Sequence, residues 1–351
     1  MKWLPGILLA LVLGAGLGPS LRAQAPPASP DIPRMVLQPL DARQVSWDFD
    51  FDAPVLCDAE GNMYLRPTLP ARIDKNPVWK FSPEGRKLVE FAPPTDTDDA
   101  GKEFRMGEFT ISPLGDFYAL TYDGNSYHLT AWDYFLVSYA SDGEASSKIH
   151  LNLPADFWVD RFAVFTSGEI LVTGHYSSRA AEALRGRLRV LILQSDGTLV
   201  REVKLTGEAA AKYEEWRASK SPPAQGPILM EGATMGEDGN AYLLRGTEVL
   251  VLSSQGKLLR TIPVSPPEPG FIAMEIQVSQ GVLSVVFNKV GHGRIKVMFR
   301  TFDASTGVLQ AEYVPGPELS NVPPLCFNGA EGYTFLGKKD GKPALVRAWV
   351  R

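Results

Sequence analysis

Asp52, Glu108, Arg161, Glu231 and Glu275 come from five copies of a phrase that the chain repeats six times, near the entry to its first strand though not at strictly matching positions. Each stands just ahead of an apolar run that a glycine turn then ends. Carboxylates brought from separate copies to a common point would bind Ca²⁺ or another hard cation through oxygen ligands, with Arg161 neutralising a neighbour. Three of the four histidines, His128, His175 and His292, follow the second apolar run of copies two, three and five. Together they would hold Zn²⁺ or exchange protons near neutral pH; apart, they are ordinary loop residues. The same loops carry Tyr127 within Tyr122–His128, Arg179 within His175–Arg179, and Arg66, Arg72 and Lys75 in the first copy. Tyrosine and arginine give contact area at low entropic cost, so this rim suits a protein, peptide or small flat ligand. No Gly-x-Ser-x-Gly elbow, His-Glu-x-x-His, Walker loop, Cys-x-x-Cys or dinucleotide fingerprint is present, so no catalytic signature stands beside these residues.

The elements that must position them are short strands. In the first copy Val55–Cys57, a turn at Gly61 and Met63–Leu65 are followed by Val78–Phe81, a turn at Gly85 and Lys87–Val89. The first turn recurs at Gly115, Gly168, Gly239, Gly281 and Gly332, and the second at Gly143, Gly197, Gly256, Gly307 and Gly341. Tight hairpins need a residue with positive φ, which glycine supplies without steric penalty. Spacings of 54, 53, 71, 42 and 51 residues between the first-turn glycines fit a four-stranded unit with variable loops. Such a unit cannot bury both its faces alone, so the copies must stack around an axis. The expected fold is all-β, a six-bladed β-propeller of four-stranded antiparallel blades. The sixth copy lacks an outer strand, and Met35–Leu40 is expected to supply it, which joins the two ends of the chain.

The phrases Asp58–Leu65, Glu237–Leu243 and Val251–Lys257 resemble those of six-bladed propellers of the NHL-repeat, TolB-like and bacterial quinoprotein-like type. That resemblance covers nearly all of the chain after its leader and is structural. It implies architecture and leaves activity open, because such propellers include binding scaffolds, lactonases and lyases. Gluconolactonase-like members place carboxylates around a cation at the channel mouth, and the resemblance extends that expectation to the acids named above. A binding or scaffold module is the leading expectation, and a metal-assisted hydrolase or lyase the alternative.

Residues 1–25 read as a signal peptide: Lys2 at the positive end, an apolar run over Leu8–Leu17, and the small-x-small site Ala23-Gln24-Ala25. Residues 26–34 form a Pro-rich linker and 35–351 the propeller, with an inserted helix expected at about 207–219 on the Ala-rich stretch Glu208–Ala218. Cleavage removes Lys2 and Arg22 from the 35 basic residues, leaving 33 against 40 acidic ones and a net charge of −7. Such a chain lacks the basic field that nucleic acid requires. No later segment is apolar enough to span a membrane, and a monomer secreted or held in the periplasm is expected. In that oxidising setting Cys57 and Cys326, in the first and last copies, either bridge and staple the ring or pack as two buried thiols.

Overall fold

The computed structural model describes residues 32–350 except 48, 70–75, 95–103, 124–132, 177–179, 183, 185–187, 205–231, 292–293, 321 and 323. The leader, Tyr127, His128, Arg179, Glu231, His292 and the expected helix therefore lie outside the described residues, as does all of the linker before Ile32. Among the described residues no helix is long and apolar enough to cross a membrane.

The fold is all-β and propeller-like. Four antiparallel sheets each hold four strands in chain order. They are β2–β5 (Phe51–Cys57, Met63–Pro67, Val78–Phe81, Lys87–Phe91) and β6–β9 (Phe104–Ile111, Phe117–Asp123, Tyr134–Tyr139, Ala145–His150). The next two are β10–β13 (Phe157–Val164, Ile170–Tyr176, Leu188–Leu193, Leu199–Val203) and β14–β17 (Gly232–Met235, Ala241–Arg245, Glu248–Leu252, Leu258–Pro263). The remaining strands are β18–β21 (Ile272–Ser279, Val282–Gly291, Arg294–Asp303, Leu309–Pro315), β22–β24 (Pro324–Phe327, Tyr333–Lys339, Lys342–Val350) and β1 (Arg34–Gln44).

These last strands form one sheet of eight, in the order β18-β19-β20-β21-β1-β24-β23-β22, where separate quartets were expected. The merger has a local cause. The second part of β1 pairs antiparallel with β24, Leu37 opposite Val350, while its first residues pair in parallel with β21, Arg34 opposite Glu312. Glu312, buried at that seam, accepts from Arg34 Nε at 2.5 Å and from Arg300 Nη2 at 2.8 Å. The expected pairing of Met35–Leu40 with the carboxyl-terminal strand is thus present, with a second attachment that composition did not reveal.

Burial is greater in the second strands than in the first or the fourth. The second strands β3 and β15 are buried at every residue, whereas the fourth strands β9 and β13 are mostly exposed. This explains why the inner strands read as unbroken apolar runs: both faces of each sheet meet a neighbour. Apolar clusters sit between consecutive sets of strands, such as Tyr64, Phe91 and Phe117 between the first and second sheets, or Tyr242, Val251 and Leu283 between β14–β17 and β18–β21. First strands neighbour one another in the cyclic order β2, β6, β10, β14, β18, β22 and back to β2.

The twelve turn glycines of the repeat all have positive φ, between +67° and +95°. At Gly143 and Gly197 a second constraint applies, since a Cβ there would collide with the carbonyl oxygens of Glu90 and His150 on the outermost strand of the preceding sheet. The outer turn of one sheet thereby seats against the edge of the sheet before it.

Candidate functional site

Bulges in the first strands build the site. Between Val159, opposite Gly174, and Arg161, opposite Thr173, β10 carries Asp160 as an extra residue. Met274 plays the same part in β18, ahead of Glu275, and β6 shifts register between Met106 and Phe109, around Glu108. Bulges also occur in β2 and β22. An extra residue kinks the strand and re-aims the side chains beside it. Glu108, Arg161 and Glu275 each directly precede a buried apolar residue, Phe109, Phe162 and Ile276, so they occupy one layer of three different first strands.

Arg161 organises this layer. Its Nη1 lies 2.9 Å from Glu108 Oε1 and also donates to the carbonyl of Asp160 at 2.8 Å. Burial pushes the Glu108 carboxyl above the usual range; the Arg161 and Arg66 charges oppose that rise and Asp160 adds to it. Burial also raises Glu275, to about 7, against a lowering hydrogen bond from Gln277 and the charge of Arg161. Gln277 Nε2 donates to Glu275 Oε1 at 2.9 Å and to the Leu325 carbonyl at 3.2 Å, while its Oε1 accepts from Phe327 N–H at 2.6 Å. That amide therefore holds Glu275 in place by tying β18 to β22. Arg66, buried on β3, donates to the Gly107 carbonyl in the bulge of β6. Beside Arg161, His175 Nδ1 lies 3.0 Å from Asp160, and the ring of Trp158 lies against the imidazole at 6.2 Å.

Three of the expected residues thus come together: Glu108, Arg161 and Glu275. They lie within the first strands, a correction to their expected place in the segments leading into them. His175 is likewise on β11, opposite Trp158, and not in the loop after it. Asp52 lies on β2 with its backbone opposite Arg66, its side chain outside the described residues. Among the described residues no three His, Cys, Asp or Glu side chains are grouped to hold a metal ion. Asp160 and Gln277 were not singled out from the sequence. Asp160 precedes Arg161 and is betrayed only by the bulge, and Gln277 by the register of β18.

The other end of the same strands is different in kind. A cavity of about 300 Å³ is lined by Asp58, Lys80, Thr110, Ser112, Thr234 and Gln277, among others. Cys57 lines it too and is disulfide-bonded to Cys326, with Cα atoms 5.8 Å apart, linking β2 to β22. Asp58 accepts from the Asn62 N–H at 2.9 Å, the Asn62 side chain at 2.9 Å and the Tyr64 hydroxyl at 3.1 Å, with Lys80 at 3.3 Å. Asp238 repeats the set with Asn240, Tyr242 and Arg260. Burial and the adjoining Asp238 charge raise the Tyr242 hydroxyl to about 12, so it stays a donor.

No protein-family profile matches the chain, and no curated protein matches it. Its coordinates are similar to those of the PQQ-bound aldose sugar dehydrogenase from Streptomyces coelicolor, with 12% identity, 93% of this chain and 100% of the other covered, and a TM-score of 0.45. A proposed TolB from Agrobacterium tumefaciens shares 13% identity over 88% of this chain and 97% of its own, with a TM-score of 0.43. A protein of unknown function from Bacteroides caccae shares 14% over 77% and 90%, with a TM-score of 0.44. The arrangement of this chain, read from its own strand pairing, is propeller-like and made of antiparallel four-stranded sheets.

Proposed function

We propose that the chain is an exported six-bladed β-propeller that works as a binding module, holding a protein, peptide or small ligand at the channel mouth where Glu108, Arg161 and Glu275 meet. The observation that carries this reading is that three charged side chains from three sheets share one layer, placed there by bulges that a purely structural strand does not need. The blade count is supported by dividing the eight-stranded sheet at the parallel β1–β21 seam, which yields two further quartets, and by the cyclic order of the first strands. Export is supported by the leader-like start of the sequence and by the Cys57–Cys326 bond, a feature of oxidising compartments. Amino-terminal sequencing of the exported protein is expected to begin at Pro26.

Binding is tested by heating the purified protein with a panel of amino acids, dipeptides and monosaccharides, because a ligand that prefers the native state raises the melting temperature. At least one compound is expected to raise it, and Arg161→Met to abolish the rise. A panel without effect on the wild-type protein, or a rise undiminished in the variant, would refute binding at the mouth.

A further inference from the structure

We infer that the mouth takes its ligand as a cation, a primary ammonium group on an apolar alkyl or aryl body, with Glu275 as the group that receives the charge. This rests on the proposed binding role of the mouth and adds the chemistry of the ligand.

The charges of the layer are unequally matched. Arg161 is engaged by Glu108 and by the Asp160 carbonyl, and Arg66 by the Gly107 carbonyl. Both guanidinium groups already face protein acceptors, so an anion arriving here would have to displace them. Glu275 is in the opposite condition. One of its oxygens accepts an amide proton from Gln277, and among the described residues no lysine, arginine or histidine lies within ion-pairing distance. A partly buried carboxylate without an ion-pair partner is unfavourable, and a ligand that supplies one gains accordingly.

Among the described residues, the strands around Glu275 offer no other cation. The strands packed against β18 are β14, β15, β19 and β22. β14 and β22 contain no charged residue. On β15, Arg245 is buried and interacts with Glu248. On β19, Lys289 donates to the Pro269 carbonyl at 2.8 Å and lies over the Phe271 ring. In the same layer and next to it stand Glu108, Asp160, Arg161, Arg66 and His175, of which only Arg161 acts on Glu275 through space.

The body of the ligand follows from the strand ends. Ile272 and Met274 precede Glu275 on β18 and are 47% and 43% exposed. Apolar side chains next to a carboxylate in the chain suit an amine with a hydrocarbon part. A primary ammonium brings three hydrogen-bond donors to the carboxylate, whereas a quaternary one brings none.

The test is calorimetric titration with butylammonium, phenethylammonium, tetramethylammonium, butyrate and butanol at pH 8.5 and 5.5. Occupancy of the mouth is read in parallel from the ¹³C-methyl resonance of Met274, assigned with Met274→Leu. The primary amines are expected to bind at pH 8.5, to shift that methyl, and to weaken by about 30-fold at pH 5.5, where a group titrating near 7 is mostly protonated. Glu275→Gln, nearly isosteric and checked for folding by its other methionine resonances, is expected to lose at least about 10-fold in affinity at pH 8.5 and to lose the pH dependence. Unchanged affinity in Glu275→Gln, butyrate binding more tightly than butylammonium, or no amine binding would each overturn the inference. If butyrate or butanol still shifts the Met274 methyl, the mouth remains a binding site for another ligand class. If no probe shifts it, the binding role at the mouth falls as well.

Discussion

At the turn end of the first and fourth sheets, Asp58 and Asp238 hold the same partners, an asparagine four or two residues on, a tyrosine of the second strand and a basic residue further out. At the opposite end, Glu108, Arg161 and Glu275 hold different partners in each sheet, and Glu275 has no ion-pair partner among the described residues. Both regions are polar, and both shift tyrosine or carboxyl protonation. What separates them is closure. Where a repeated side chain meets its hydrogen-bonding capacity within its own hairpin, it serves folding. Where an unrepeated one leaves capacity unused around an axis, it is available to something that arrives later.

The strongest way to break this contrast is Asp58→Ala. It removes the acceptor of two backbone N–H groups, an amide, a hydroxyl and an ammonium, in a side chain only 8% exposed. A loss of about 3 kcal/mol in urea unfolding is expected, since several partners are left unsatisfied at once. A loss no greater than that of a surface substitution would remove the structural reading of this end.

Glu275→Gln sharpens the contrast from the other side through pH. The native carboxyl titrates near 7 and the unfolded one near 4.5, so the stability it allows is complete below about 4.5 and declines as pH rises to about 7. Over that window the wild-type protein is expected to lose about 1–3 kcal/mol, less than the full shift because Glu275 is partly exposed. The variant should lack this decline, whereas Asp58→Ala should retain it. Equal slopes in all three proteins would mean that Glu275 is ionised without penalty.

The smallest effect is expected for Tyr242→Phe, about 1 kcal/mol, because Asp238 keeps its Asn240 donors and is 41% exposed. A larger loss than that of Asp58→Ala would reverse the ranking of the two blades.

The turn end was readable in the residues because its rules are local. Gly61 and Gly239 mark the hairpins, and Asp58 and Asp238 lie within a few positions of what they bind. The mouth was readable only as a set of names. Glu108, Arg161 and Glu275 stood out as charges placed ahead of apolar runs, but their convergence depends on bulges, and a register shift is set by the partner strand and leaves no mark in composition. Asp160 escaped for that reason. The merged eight-stranded sheet escaped for another: Arg34 and Glu312 lie far apart in the chain, and no periodicity joins them. Cys57 and Cys326 were legible as a pair in first strands, while their approach depends on β2 and β22 being neighbours.

β1 has a temporal consequence. Its partners are β21 and β24, both drawn from the far end of the chain, so a growing polypeptide carries this strand unpaired through most of its synthesis. Until β24 emerges, Val36 and Leu40 sit on an edge able to pair with other chains, and the ring can neither lock nor protect its first sheet. A cell making this protein must therefore keep the early segment apart from its copies until the last strand arrives.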